Sequence, residues 1–146
     1  MRVDFYQLSR DPVERVIPLI ARKVLERQDR LLVVSKERDQ LSAINEALWS
    51  ASGSDFLANG FAQEPHPERQ PILLSEQAEA VNGAKIAILA DGVWREEAAS
   101  LDRILLMFGE AQTQAARDLW RAFGMRDEAE THIFKQRPDG GWKEGR

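Results

Sequence analysis

The sequence predicts an α/β fold, built on a mainly parallel sheet with helices on both faces and a C-terminal hairpin at one edge. Short, continuous apolar runs alternate along the chain with segments whose apolar residues recur every three or four positions. Continuous apolar runs are typical of strands that a parallel sheet buries on both faces. Because the chain has 146 residues, the usual size of one domain, we expect residues 1–146 to form a single α/β domain.

The first half of the chain predicts strand, helix, strand and helix. Val3 to Leu8 is a β-branched and aromatic run and predicts the first strand. A helix follows, because Asp11-Pro12-Val13-Glu14 combines an N-cap carboxylate, a proline at the first helical position and a glutamate three residues after the cap. We expect this helix to end near Gln28. Leu31 to Val34 then predicts a buried strand, and Glu37 to Trp49 a second helix.

The second half begins with an exposed loop from Gln63 to Gln70 and continues with short buried strands. We expect the remaining strands at residues 72–74, 86–89, 103–108 and 132–137, with a turn at 138–141 and a return at Trp142. Gly109 to Phe123 predicts the last long helix. Gly124 follows it, where a left-handed residue often ends a helix.

Composition excludes several classes of function. The chain has no cysteine, which excludes disulfides, thiolate metal sites and cysteine nucleophiles. His66 and His132 are its only histidines, so we expect no metal site and name no catalytic residue. The net charge of −4 argues against extensive binding to DNA, so any anion site must be a local patch. No apolar segment is long enough for export or for a membrane span, so we expect a cytoplasmic protein.

The predicted architecture is Rossmann-like, but it lacks a phosphate-binding loop. The first strand-to-helix turn reads Ser9-Arg10-Asp11-Pro12, without the glycines that let backbone amides approach a phosphate. We therefore expect no bound cofactor. One alternative stays open, a small enzyme or nucleotide-binding protein whose site lies at the carboxyl ends of the strands near Asp91.

Two patterns are candidates for protein-binding surfaces. On the last helix, Arg117, Trp120 and Arg121 are spaced to share one face, where guanidinium groups could bind a carboxylate and the indole an apolar side chain. Trp120 could instead simply face the core. In the second pattern, Trp49, Phe56 and Leu57 flank a serine- and glycine-rich stretch and suit either an interface or a lid over the local core.

The sequence resembles the chi subunit of bacterial DNA polymerase III holoenzyme, an accessory protein of the clamp-loader assembly. The resemblance extends over nearly the whole chain. It rests on five short motifs, which are Val3-Asp4-Phe5-Tyr6, Asn45-Glu46-Ala47-Leu48-Trp49, Asp55-Phe56-Leu57, Ala116-Arg117-Asp118-Leu119-Trp120-Arg121-Ala122-Phe123 and Gly141-Trp142.

The resemblance implies a non-enzymatic adaptor for DNA replication that binds the acidic C-terminal tail of single-stranded DNA-binding protein (SSB). Arg117, Trp120 and Arg121 match the family's basic and aromatic cluster, and Phe108 is expected to line its apolar side. Another basic position of the family falls on Gly124, which leaves open whether Arg126 supplies the missing charge.

The resemblance also implies further partners. The psi subunit of the clamp loader, where a psi-like protein exists, would bind at Trp49, Phe56 and Leu57. In this chain, Ala58-Asn59-Gly60 replaces a proline-containing stretch of the family at that surface. A helicase is also linked to the family and could compete for the same surface.

Overall fold

The computed structural model describes residues 1–50 and 57–145. The strands are β1 (Arg2–Gln7), β2 (Leu31–Val34), β3 (Gly60–Phe61), β4 (Ile72–Ser75), β5 (Ile86–Leu89), β6 (Arg103–Phe108), β7 (Glu130–Gln136) and β8 (Trp142–Gly145). The α-helices are α1 (Val13–Glu26), α2 (Arg38–Ser50) and α3 (Thr113–Phe123). Short 3-10 helices lie at Pro67–Arg69, Glu96–Ser100 and Glu110–Gln112.

These strands form one sheet in the order β3-β4-β2-β5-β6-β1-β7-β8. Every neighbouring pair is parallel except β7 and β8, which form an antiparallel hairpin at the edge. The predicted α/β fold and its edge hairpin are therefore confirmed. Within the described ranges, no helix has the length and apolar composition needed to cross a bilayer.

The helices divide between the two faces of the sheet, as predicted. Helices α1 and α2 cover one face, where Ile17 and Ile44 are fully buried against β2, β4 and β5. Helix α3 covers the other face, where Ala116 and Phe123 pack against β1 and β6. The central strands carry aliphatic side chains toward both helical layers, and this burial supplies most of the driving force for folding.

Strand β1 lies between β6 and β7 and is hydrogen-bonded to both. Because side chains alternate along a strand, Phe5 faces α3 while Tyr6 faces α1. The register pairs Phe5 with Ile133 and Tyr6 with Phe134, so the same alternation continues onto β7.

The start of α1 differs from the prediction. The helix begins at Val13, with Pro12 as its N-cap, and the carboxylate of Asp11 does not cap it. Instead, this carboxylate accepts a hydrogen bond of 2.9 Å from Nε2 of Gln136. A long-range partner has thus replaced the local contact that the sequence pattern indicated.

The last helical segment also differs from the prediction. Residues Glu110–Gln112 form a 3-10 turn, and the α-helix itself begins at Thr113. Gly124 has φ −61° and ψ −19°, which is right-handed, so the prediction of a left-handed residue is wrong. The turn continues past it, because the amide of Arg126 donates to the carbonyl of Phe123 at 3.0 Å. Strand β3 was not predicted, because Gly60–Phe61 is too short to show a pattern.

A buried carboxylate ties the first strand to its neighbour. Asp4 is fully buried and accepts hydrogen bonds from Nε of Arg103 at 2.6 Å and from Nε of Arg2 at 2.9 Å. Both arginines remain partly exposed. Such a carboxylate is stable in the interior only because charged donors replace the water that it has lost.

We expect Asp4→Asn to lower the free energy of unfolding by about 1–3 kcal/mol, because an amide cannot balance two guanidinium groups at a buried position. Urea denaturation followed by circular dichroism measures this change. Asp102→Asn is the matched control, since Asp102 is exposed, and it should change stability by no more than about 0.5 kcal/mol. Equal stability of the two variants would show that the buried ion pair does not stabilise the fold.

Candidate functional site

A pocket of about 350 Å³ opens between α3 and the sheet, and we call it the basic pocket. The structure brings together here all four residues that the family resemblance implied for tail binding, Phe108, Arg117, Trp120 and Arg121. Its lining residues are Phe5, Gln7, Phe108, Thr113, Ala116, Arg117, Trp120, Arg121, Ile133 and Lys135. The pocket lies near the carboxyl ends of β1 and β6, because Gln7 and Phe108 are their last residues and pair in register.

The apolar wall of the basic pocket is formed by aromatic rings. Phe5 and Phe108 are almost completely buried and face α3. The indole of Trp120 contacts Phe5 edge to face, with ring centroids 5.3 Å apart and an interplanar angle of 75°. Trp120 therefore has both roles that the sequence left open, since it packs against the core and also lines the pocket. The edge-to-face contact with Phe5 stabilises the indole in this wall.

Helix α3 places the cations of the basic pocket. Ala116 and Phe123 are buried and anchor the helix on the sheet. Arg117 and Arg121, one turn apart, consequently lie along the edge that borders the pocket. Both side chains are exposed, so the folded protein keeps their guanidinium groups hydrated and accessible to a ligand.

Lys135 is a third cation in the basic pocket, and the sequence analysis missed it. It lies on β7 opposite Gln7 of β1, two residues after Ile133, and so shares the face that carries Phe5. Only the register of β1 with β7 reveals this position, because nothing in the local sequence of β7 indicates which neighbour it meets. Lys135 lines the basic pocket from the sheet, whereas Arg117 and Arg121 line it from the helix.

The charge of the basic pocket is not balanced internally. No carboxylate is among its lining residues. Within residues 1–50 and 57–145, Arg117, Arg121 and Lys135 have no carboxylate oxygen within ion-pair distance. Asp118 neighbours Arg117, but it accepts a hydrogen bond of 3.1 Å from Gln114 and does not line the pocket. A local excess of three positive charges thus occurs in a chain whose net charge is −4.

Arg126 does not contribute to this charge. Its guanidinium is paired with Glu96 at 2.9 Å and with Glu128 at 2.8 Å, and it lies 5.5 Å from the ring centre of Phe123. These carboxylates raise the pKa of Arg126 against a smaller opposing effect of burial, with Glu128 contributing most. The charge missing at Gly124 is therefore not supplied by Arg126, and Lys135 is the additional cation at the pocket.

The second predicted surface is only partly described. The side chain of Trp49 is 46% exposed at the end of α2, as an interface residue would be. Leu57 is 6% exposed and packs in the core under α1 and α2, and its amide donates to the carbonyl of Leu48. Phe56 lies outside the described residues. Trp49 therefore presents more contact area to a partner than Leu57 does.

Asp91, the focus of the alternative function, is held in a structural network. Its carboxylate forms two hydrogen bonds with Arg95, at 2.9 and 2.7 Å. It also accepts from the amides of Lys36 and Val93. Burial by itself would raise the pKa of Asp91, but the bonds from Arg95 and these two amides together lower it. A carboxylate with all these donors is a poor general base and repels phosphate.

The turn after β1 is occupied by a side chain of the same protein. The amides of Ser9, Arg10 and Asp11 all donate to Oε1 of Gln136, at 3.3, 2.9 and 3.1 Å. In nucleotide-binding proteins of this architecture, amides at this turn bind the phosphate. Here a buried carboxamide already satisfies them, and Gly140 lets the hairpin turn beside Arg10 with φ +91°.

His132 takes part in the edge hairpin. Its Nδ1 lies 2.9 Å from Glu144 on β8, and its Nε2 lies 3.3 Å from Glu130. The hydrogen bond with Glu144 is the main cause of a raised pKa of His132, which burial opposes and Glu130 reinforces. In the described part of the chain, no cluster of three potential ligands is arranged to hold a metal ion.

Comparison with known families identifies the chain. A family model described as DNA polymerase III chi subunit, HolC, matches residues 1–129. The chain belongs to the DNA polymerase III chi subunit family. The search of curated proteins gave no significant match. Chi subunits are non-catalytic accessory subunits of DNA polymerase III, and this membership gives the chain an accessory role in DNA replication. The match includes Phe108 and all of α3, whereas Lys135 lies beyond it.

The network around Asp91 predicts how stability depends on pH. The folded-state pKa of Asp91 is lowered, so its contribution to stability is complete above the unfolded value of about 3.9 and declines as the pH falls through the folded pKa. Asp91→Asn should therefore lose less stability than the wild-type chain between about pH 5 and pH 3.

Urea denaturation at several pH values measures this difference. The Asp127→Asn variant is the control, because Asp127 is exposed, and it should retain the pH dependence of the wild-type chain. If Asp91→Asn and the wild-type chain lose stability equally over this interval, the carboxylate does not titrate as the geometry indicates.

Proposed function

We propose that this chi-family chain links the DNA polymerase III clamp loader to SSB by binding the acidic C-terminal tail of SSB in the basic pocket. One observation carries the proposal, namely that three cations without internal carboxylate partners surround a preformed aromatic wall. The tail complements this pocket, because it offers carboxylates for the cations and a terminal aromatic residue for the aromatic wall.

The two parts of the basic pocket suit the two parts of such a tail. Phe5, Phe108 and Trp120 form an apolar wall for the terminal aromatic ring, and edge-to-face contacts among aromatic rings contribute about 0.5–1.5 kcal/mol each beyond area burial. Arg117, Arg121 and Lys135 supply donors on two sides for the α-carboxylate and the preceding acidic side chains. A peptide that ends in an apolar residue meets both requirements at once.

The net charge of the chain is consistent with this role. Binding to DNA itself would require many cations distributed along a surface, which a chain with a net charge of −4 does not favour. An acidic peptide needs only the local positive charge of the basic pocket. Because the cations are exposed, the interaction should weaken as salt is added.

On the clamp-loader side, the surface around Trp49 is the proposed contact for a psi-like subunit, and a helicase would compete for it. The exposed indole at the end of α2 supports this assignment. A protein with this role in bacterial DNA replication would be located in the cytoplasm. In this role, the chain acts by binding and carries out no reaction of its own.

We expect Arg121→Ala to weaken binding of an SSB-tail peptide about tenfold or more, because a charge-assisted hydrogen bond contributes about 1.5–3 kcal/mol. Lys135→Ala should weaken it several-fold. Isothermal titration or fluorescence anisotropy measures both effects, and removal of the peptide's terminal residue should abolish binding.

The matched control for this experiment is Arg126→Ala. It removes one positive charge from a guanidinium that Glu96 and Glu128 already neutralise outside the basic pocket, so affinity should stay within about twofold. Binding that is unchanged in Arg121→Ala and in Lys135→Ala would exclude this pocket as the tail site.

The alternative function predicts nucleotide binding, and we expect none. A ligand that binds only the folded state raises the melting temperature, so the tail peptide should raise it while ATP, GTP and NAD at millimolar concentration leave it unchanged. The physical reason is that Gln136 already occupies the amides of the turn after β1. A rise of several degrees with any nucleotide would restore the alternative.

A further inference from the structure

The sheet has an uncovered region on the face opposite the basic pocket. Among the described residues, the core beneath α1 and α2 includes side chains of β2, β4, β5 and β6 but none of β7 or β8. On the α3 side, by contrast, Ile133 of β7 is packed against the core. The α1 side of the last two strands is therefore not covered by a helix.

A groove of about 370 Å³ lies along the side of α1, next to the part of the sheet that the helix does not cover. We call it the α1 groove. Its outer wall includes Leu19, Lys23 and Arg27, which recur every fourth residue and so lie in one row along the helix. Its floor and far end include Tyr6, Arg103 and Trp142. None of these residues lines the basic pocket.

The α1 groove is apolar inside and cationic at its rim. Leu19 is 60% exposed and places apolar surface at the mouth of the groove. Lys23 and Arg27 are exposed and, within the described chain, have no carboxylate within ion-pair distance. Arg103 is the third cation, although it is already bound to Asp4.

No carboxylate lines the α1 groove. The nearest acidic side chains on the same face of β7 and β8 are Glu130 and Glu144, and both lie within ion-pair distance of His132. Lys23 and Arg27 therefore give the rim an uncompensated positive charge, and its complement is a ligand with negative charges beside an apolar group.

The aromatic rings favour a peptide over single-stranded nucleic acid. Proteins that bind single strands offer free ring faces on which bases stack. Here Tyr6 is stacked on Phe134, with centroids 5.0 Å apart, and the ring of Trp142 meets Tyr6 at 5.1 Å and 82°. Both rings are therefore already engaged with Tyr6, one stacked on it and one edge to face, and they favour contact with an apolar side chain over base stacking.

We infer that the α1 groove is a docking site for an acidic segment of another protein, with an apolar side chain that inserts between Leu19 and Trp142 and carboxylates that pair with Lys23 and Arg27. The segment need not be a chain terminus, because the groove is open along α1. The chain would then bind acidic peptides on both faces of its sheet, at two sites that do not share a residue.

The test uses a synthetic peptide with an acetylated N-terminus and an amidated C-terminus, in which two glutamates stand on each side of a Leu-Phe pair. The C-terminal amide of the peptide replaces the terminal carboxylate, so binding of the peptide to the basic pocket is disfavoured. The 15N-labelled full-length chain contains four tryptophans, so its indole N–H signals distinguish Trp142 in the α1 groove from Trp120 in the basic pocket.

We expect saturable shifts of the Trp142 indole and of the α1 amides, with those of Trp120 little changed. The Lys23→Glu/Arg27→Glu variant should weaken this binding at least tenfold. Lys36→Glu/Lys143→Glu is the matched control, because it changes the net charge equally at two exposed lysines outside the groove, and its affinity should stay within about twofold.

Three outcomes would overturn the inference. The first is the absence of a saturable shift at Trp142, and the second is equal weakening in the two double variants. The third is a stronger effect of an oligothymidine single strand than of the peptide at equal concentration, which would assign the groove to nucleic acid. None of these outcomes bears on the basic pocket, because Trp120 and the SSB-tail peptide report on that site separately.

Discussion

Strand β1 is hydrogen-bonded along both edges, and the two candidate surfaces depend on that placement. Its alternate side chains point to opposite helical layers, so Phe5 contributes to the basic pocket while Tyr6 contributes to the α1 groove. A slip of one residue in the register would exchange these faces and destroy both sites. The fully buried Asp4, bound to Arg103 of the neighbouring strand, holds this register from within.

An acidic protein can bind an acidic ligand if its charges are arranged unevenly. In this chain, several surface arginines are neutralised by nearby carboxylates, as Arg126 is by Glu96 and Glu128. At the basic pocket, no such carboxylates line the surface, and the three cations come from a helix and a strand that are distant in sequence. The net charge therefore says little about the binding preference of any one surface.

Much of the fold follows from local sequence, because buried parallel strands and amphipathic helices carry distinct patterns. The face shared by Arg117, Trp120 and Arg121 is likewise a consequence of helical spacing. Lys135 could not be found this way, since its role comes from the pairing of β7 with β1, and strand order is not encoded in any local pattern. The cap at Asp11 was predicted wrongly for the same reason, because its partner is 125 residues away.

The carboxamide of Gln136 gives the fold a substitute for the ligand that its architecture commonly binds. A phosphate would bring negative charge to the amides after β1 and would come and go with its concentration. The carboxamide of Gln136 is neutral and belongs to the same chain, so its contact with these amides does not depend on the concentration of a ligand. A turn filled in this way does not respond to the concentration of a phosphate ligand.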